Sequence, residues 1–166
     1  MESQEIKHPF DPVFDSNSKF LILGSFPSVK SREQMFFYGH PRNRFWKVIS
    51  TVFQARLPET IPEKKKFLLD NHIALWDVIS SCEITGSSDA SITNVQVNDL
   101  SPILSSAKID AIYTNGTKAY ELYMKYSFPI TGIPAVKLPS TSPANAACSY
   151  DRLVSEWSSL ILPQTE

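Results

Sequence analysis

The chain has 166 residues, is 42% hydrophobic and 20% charged, and carries a formal net charge of −1. That is the size of one domain with enough apolar content for a core; it excludes a disordered chain and argues against a protein that coats nucleic acid by bulk positive charge. No apolar run approaches the ~20 residues of a membrane span, and two cysteines without a CxxC pair exclude a disulfide framework or a four-thiolate metal site.

The start, Met1-Glu2-Ser3-Gln4-Glu5, does not read as a secretory signal, so a cytosolic protein is expected. Cys82 and Cys148 read as reduced, small apolar residues. His8, His40 and His72 are scattered without ligand spacing, so neither a metal nor another cofactor is expected. Between Lys30 and Lys47 lie five basic residues against the single acid Glu33, a local basic segment in a balanced chain.

Residues 1–17, punctuated by His8-Pro9 and Asp11-Pro12, predict an extended lead-in. Phe20-Leu21-Ile22-Leu23, ended by Gly24, is a short buried strand. Ser25 to Pro41 is a long connection without periodicity. From Asn43, the spacing of Phe45, Trp46, Val48, Ile49, Val52 and Phe53 predicts an amphipathic helix over about 43–54. A second helix opens at Pro62-Glu63 and runs through Leu69. Ile73-Ala74-Leu75-Trp76 is a second strand, and residues 80–90 are small, polar and loop-like.

A short helix is expected between Val97 and Ser106, with Pro102 blurring its limits. Ile109 to Tyr113 is a third strand, and a helix follows Thr114-Asn115-Gly116-Thr117 to about Lys125. Ala135 to Leu138 is a fourth strand, and a last helix spans about Tyr150 to Leu162. Strands alternating with helices predict one α/β domain over residues 1–166, a three-layer α/β/α sandwich around a mostly parallel four-stranded sheet. Ligands of such sheets sit beyond the carboxyl ends of the strands, here Gly24 to Ser28, Trp76-Asp77, Thr114 to Gly116 and Leu138 to Ser140.

Three segments could carry chemistry. In Gly24-Ser25-Phe26-Pro27-Ser28, Gly24 lets backbone approach a ligand and Pro27 stiffens the turn; taken alone, a plain structural turn is the favoured reading. In His40-Pro41-Arg42-Asn43-Arg44-Phe45-Trp46, Asn43 is either a helix cap or an amide that orients a water, and Trp46 is either core or a base platform, with core favoured. Leu138-Pro139-Ser140-Thr141-Ser142-Pro143-Ala144-Asn145 is a stiff, hydroxyl-rich loop without charge, suited to a turn or to a sugar–phosphate backbone.

In this order the three segments resemble the motifs of the uracil-DNA glycosylase superfamily, over nearly the whole chain from about residue 18. The resemblance is closest to the hypoxanthine-DNA glycosylase branch, family 6, in Gly-Ser-x-Pro-Ser, Tyr-Gly-His-Pro-Arg-Asn-Arg-Phe-Trp and Leu-Pro-Ser-Thr-Ser-Pro-Ala-Asn. Two departures from most of the superfamily stand out. Phe26 replaces the usual water-positioning Asp or Asn, and Leu138 replaces an Asn or His. Both fit family 6, where the asparagine corresponding to Asn43 takes the catalytic role.

The resemblance implies a monofunctional enzyme that flips a deaminated base from single- or double-stranded DNA and hydrolyses its N-glycosidic bond. Asn43 is then the catalytic residue. Gly24, Ser25, Phe26, Pro27, Tyr38 and Asn115 hold the base, Phe26 by stacking. Ser28, Lys30, His40, Arg42, Arg44, Ser140, Thr141, Ser142 and Asn145 meet the DNA. No motif lysine suggests a Schiff base. Deoxyinosine is the expected lesion. The alternatives are a uracil or G:U mismatch enzyme and an inactive damaged-DNA-binding module on the same scaffold. A monomer is expected, with no membrane partner, in a prokaryotic cytoplasm at the nucleoid or in a eukaryotic nucleus.

Overall fold

A computed structural model describes residues 4–85 and 91–161. Its centre is a four-stranded parallel sheet in the order β3-β2-β6-β7. β2 (Phe20–Gly24) pairs with β3 (Ile73–Asp77) on one side and β6 (Ala111–Asn115) on the other, and β6 pairs with β7 (Ala135–Leu138). Leu21, Ile22 and Leu23 are fully buried. That is why β2 reads as an unbroken apolar run: a parallel strand covered on both faces has no polar side to alternate with.

The chain crosses from β2 to β3 in one direction and from β3 to β6 and β7 in the other. Right-handed crossovers in opposite directions put their helices on opposite faces of the sheet. One face carries α1 (Val29–Gln34), α2 (Phe45–Val52) and α3 (Ile61–Asp70). The other carries α4 (Ser101–Ser106) and α5 (Thr117–Leu122). From α5 the chain continues through a π-helical turn (Tyr123–Ser127) into α6 (Phe128–Thr131). Helix α7 (Tyr150–Trp157) packs against α2. The expected three-layer α/β architecture therefore holds.

Local chemistry sets the helix ends. Thr60 and Glu63 form a reciprocal capping box at the start of α3, with Pro62 in the first turn where its missing N–H costs nothing. Pro102 likewise sits in the first turn of α4, which begins four residues later than Val97. The last helix is α-helical only to Trp157 and continues as a 3-10 turn to Leu160; position 162 lies outside the described residues.

Two expectations need correction. The polar segment from residue 80 is not all loop. β4 (Ile79–Ile84) pairs antiparallel with β1 (Gln4–Lys7) and β5 (Thr93–Val97) in a second, three-stranded sheet; residues 86–90 lie outside the described residues. The connection from Ser25 to Pro41 contains α1, which buries only Ser31 and so carries no apolar stripe to read. The lead-in is extended as expected, with β1 in the second sheet and Val13 bridging Leu75 at the edge of β3.

Candidate active site

Strand register places the site. Gly24 is level with Asp77, Leu23 with Thr114, and Asn115 with Leu138. Asp77, Gly24, Asn115 and Leu138 thus end four adjacent strands at one height. Strand order reverses around β2, and a crevice at such a switch point is where an open α/β sheet binds ligands. A cavity of about 420 Å³ opens there.

All six residues expected to hold the base line this cavity: Gly24, Ser25, Phe26, Pro27, Tyr38 and Asn115. Asn43, Ser28, Ser140, Thr141 and Ser142 also line it. Gly24 cannot be larger here. A Cβ would stand 2.5 Å from Asp77 Oδ1 and 2.9 Å from Tyr38 Oη. Tyr38 itself is held at a φ of 52°, an uncommon left-handed conformation for a bulky residue. Its ring stacks on Phe45 with centroids 4.1 Å apart. Burial, and secondarily the charge of Asp77, push the Tyr38 hydroxyl well above its ordinary pKa, so it stays protonated.

Asn43 is wired from two directions. Its Oδ1 accepts from the Phe45 N–H at 3.0 Å, an Asx turn that leads into α2 from the residue before its N-cap, Arg44, and from the Thr141 hydroxyl at 2.8 Å. Thr141 is fully buried. Its hydroxyl accepts from Asn115 Nδ2 at 3.0 Å and its N–H donates to Asn115 Oδ1 at 3.0 Å. Asn43 is therefore not the expected helix cap, since the N-cap position falls to Arg44, but it is an amide at the pocket wall. With both lone pairs of Oδ1 engaged, Asn43 presents its Nδ2 donors to the cavity.

Several residues expected at DNA are placed otherwise. Arg44 does not project to solvent: its guanidinium donates to the carbonyls of Cys148 at 2.7 Å and Asn145 at 3.1 Å, tying α2 to the loop before α7. Thr141 has no exposed surface to offer a phosphate. Asn145 spends its side chain on the Ser140 carbonyl at 3.0 Å. His40 is half-buried and its Nδ1 accepts from the Arg42 N–H. Ser28 caps α1 by accepting from Ser31 N–H, although it also faces the cavity. Exposed Arg42, and exposed Lys30 within 3.5 Å of Glu33, remain at the surface. Trp46 is core, with Nε1 donating to the Phe37 carbonyl.

Sequence reasoning missed four contributors. Arg32 lines the cavity with its guanidinium 5.8 Å from the Phe26 ring centre. Lys118 lines it from the first turn of α5. Asp77 lines its floor, and His8 Nε2 lies 2.7 Å from Asp77 Oδ2. A strand-end position was the only signal for Asp77. A lone histidine in a proline-punctuated lead-in gave none for His8.

The uracil DNA glycosylase superfamily model matches residues 12–158. A protein of Methanosarcina acetivorans named hypoxanthine DNA glycosylase is 38% identical over 156 residues, covering 92% of this chain and 96% of its own. One of the same name from Methanosarcina barkeri is 32% identical over 117 residues, covering 69% and 74%. A solution NMR structure of a uracil DNA glycosylase candidate from Methanosarcina acetivorans superposes with a TM-score of 0.79 at 32% identity, covering 96% of this chain and all of that one. This chain belongs to the uracil DNA glycosylase superfamily.

Proposed function

We propose that the protein is a monofunctional DNA N-glycosylase that removes hypoxanthine from deoxyinosine and leaves an abasic site. The observation that carries this reading is Asn43, an amide fixed from both sides at the cavity wall where the first motif has Phe26 instead of an acid. The two Methanosarcina relatives named hypoxanthine DNA glycosylase support the choice of base.

The chemistry asks little of a base catalyst. Breaking an N-glycosidic bond leaves its electron pair on the departing purine and an oxocarbenium-like sugar, and a cation that reactive is captured by any well-placed water. A water held by one lone pair on Asn43 Nδ2 keeps its other lone pair for C1′ and releases its proton to solvent after addition. Positioning by donation suffices, so the engaged Oδ1 is no handicap. Phe26 offers a half-buried aromatic face at the cavity wall for the flipped base. Ser140, Ser142 and Lys118 at the rim suit the sugar–phosphate flanks. The whole domain acts as one unit, and Arg42 and Lys30 meet phosphates beyond the rim.

A time course of base release from duplexes carrying inosine, uracil, xanthine or thymine mispairs tests the reading. Hypoxanthine should be released fastest, without strand cleavage. Strong uracil release with no hypoxanthine release would favour the uracil enzyme suggested by the solved neighbour's description. Tight damaged-DNA binding with no release would favour a binding module.

A further inference from the structure

The wall of the cavity carries a cation that no described residue neutralises. Arg32 sits on α1 four positions after Ser28, on the same face, and both line the cavity. Its guanidinium meets no carboxylate among the described residues, and its Nε is buried without a hydrogen-bond partner. A buried donor left unmade is costly, and more so on a charged group. Other basic side chains of this segment are committed: Lys30 faces Glu33, and Arg44 holds two carbonyls. Arg32 keeps its charge and its donors for what enters the cavity.

Its surroundings strengthen that charge. Cζ stands 5.8 Å from the centre of the Phe26 ring, so a base lying on that ring has the guanidinium at its edge. β4 is close as well: burial pushes the Cys82 thiol up, and the Arg32 charge pulls it part of the way back. Ile84 and Ile92 line the same cavity and are themselves buried. Apolar walls lower the effective dielectric, so a fixed charge acts more strongly here than in water. The carboxylate of Asp77, at the floor, has the opposite sign and can only oppose an anion.

We propose that Arg32 is a catalytic residue that takes up the negative charge of the departing base. Cleavage breaks the C1′–N9 bond with its electron pair passing to N9, from where the charge spreads through the purine to its carbonyl oxygen. The water held by Asn43 adds to C1′ and releases a proton to solvent, and the base anion takes up a proton from solvent. A neutral bound base gains little from a cation at its edge, whereas the anion forming in the transition state gains much. Only that difference accelerates the step. Lys118 also lines the cavity, but it belongs with Ser140 and Ser142 at the sugar–phosphate rim. The inference rests on the glycosylase reading above.

The test follows single-turnover base release from a deoxyinosine duplex, together with binding to a duplex whose tetrahydrofuran site has no base. Arg32→Met keeps the apolar stem and should release hypoxanthine about 100-fold more slowly, the lower end of what one preorganised donor supplies. Its affinity for the base-free duplex and the salt dependence of that affinity should match wild type, which also shows that the variant is folded. Arg32→Lys keeps the charge without the fork and should stay within about tenfold of wild type. Release by Arg32→Ala should recover with added guanidinium chloride, well below unfolding concentrations, and not with urea or sodium chloride. A merely structural role would not give that pattern. An Arg32→Met enzyme as fast as wild type overturns the inference and leaves the glycosylase reading standing. Loss of base-free duplex affinity in step with the rate also overturns it, since Arg32 would then be a phosphate contact. Recovery with urea equal to that with guanidinium overturns it too. A wild type that releases no base removes the glycosylase reading and this inference with it. If wild type releases uracil and no hypoxanthine, only the choice of base falls, and the same variants on a uracil duplex decide the role of Arg32.

Discussion

Thr141 donates its hydroxyl to Oδ1 of Asn43 across 98 positions of sequence, at 2.8 Å. The last loop of the sheet thereby fixes which way the pocket amide faces. Thr141→Val keeps the shape and removes the donor, leaving Asn43 able to turn and the Asn115 amide short of an acceptor. Base release should fall about tenfold and the fold should lose about 1–2 kcal/mol, the cost of buried groups left unmade. Thr141→Ser should preserve most of both. Single-turnover kinetics and urea unfolding of the two variants check this; a Thr141→Val enzyme as fast as wild type would detach the loop from catalysis.

Gly24→Ala tests the close approach at the pocket floor. The added methyl would stand 2.5 Å from Asp77 Oδ1 and 2.9 Å from Tyr38 Oη, so backbone or floor must move. Overpacking of this kind costs about 1–3 kcal/mol. The expected outcome is a folded but less stable protein, seen by thermal unfolding, with base release reduced more than binding to an abasic-site duplex.

Two neighbouring arginines should behave differently. Arg42 is exposed, so Arg42→Gln should lower DNA affinity and flatten the slope of log affinity against log salt by about 1. Arg44 holds the carbonyls of Asn145 and Cys148, so Arg44→Gln should lower the unfolding temperature while leaving the salt slope unchanged. Fluorescence anisotropy at several salt concentrations separates the two.

That contrast shows how far the sequence could be read. β2 and β3 are plain because burial on both faces makes each a continuous apolar run, and the strand ends then locate Gly24, Asn115 and Ser140 around one cavity, which Asn43, just ahead of α2, also lines. β4 was opaque because Ser80 and Ser81 face partial exposure and its partner β1 lies more than 70 positions away. His8 was invisible for the same reason: its meaning comes from Asp77, 69 positions on. The two arginines look alike in sequence, since charge does not show whether carbonyls or phosphates receive it.

Tyr38 predicts an alkaline signature. Burial raises its hydroxyl above the ordinary value of 10, so the folded state keeps a proton that the unfolded state gives up. Stability from this source is complete below pH 10 and is lost as pH rises above it. Tyr38→Phe removes a buried hydroxyl that has no partner at hydrogen-bond geometry among the described residues, so it should fold about as well as wild type at neutral pH and lose less stability between pH 9 and about 11. Equal alkaline losses in both proteins, measured by urea unfolding, would place the titration elsewhere.

The relocated amide is the centre of the account, and Asn43→Asp tests it most directly. The substitution keeps an acceptor for Phe45 N–H and Thr141 but removes the donor that faces the cavity. Single-turnover hypoxanthine release from a deoxyinosine duplex should fall about 100-fold or more for Asn43→Asp and similarly for Asn43→Ala, the scale of losing a positioned reactant. Release by Asn43→Asp at or above the wild-type rate would contradict the account, because it would mean that the residue acts as an acceptor toward water rather than holding it by donation.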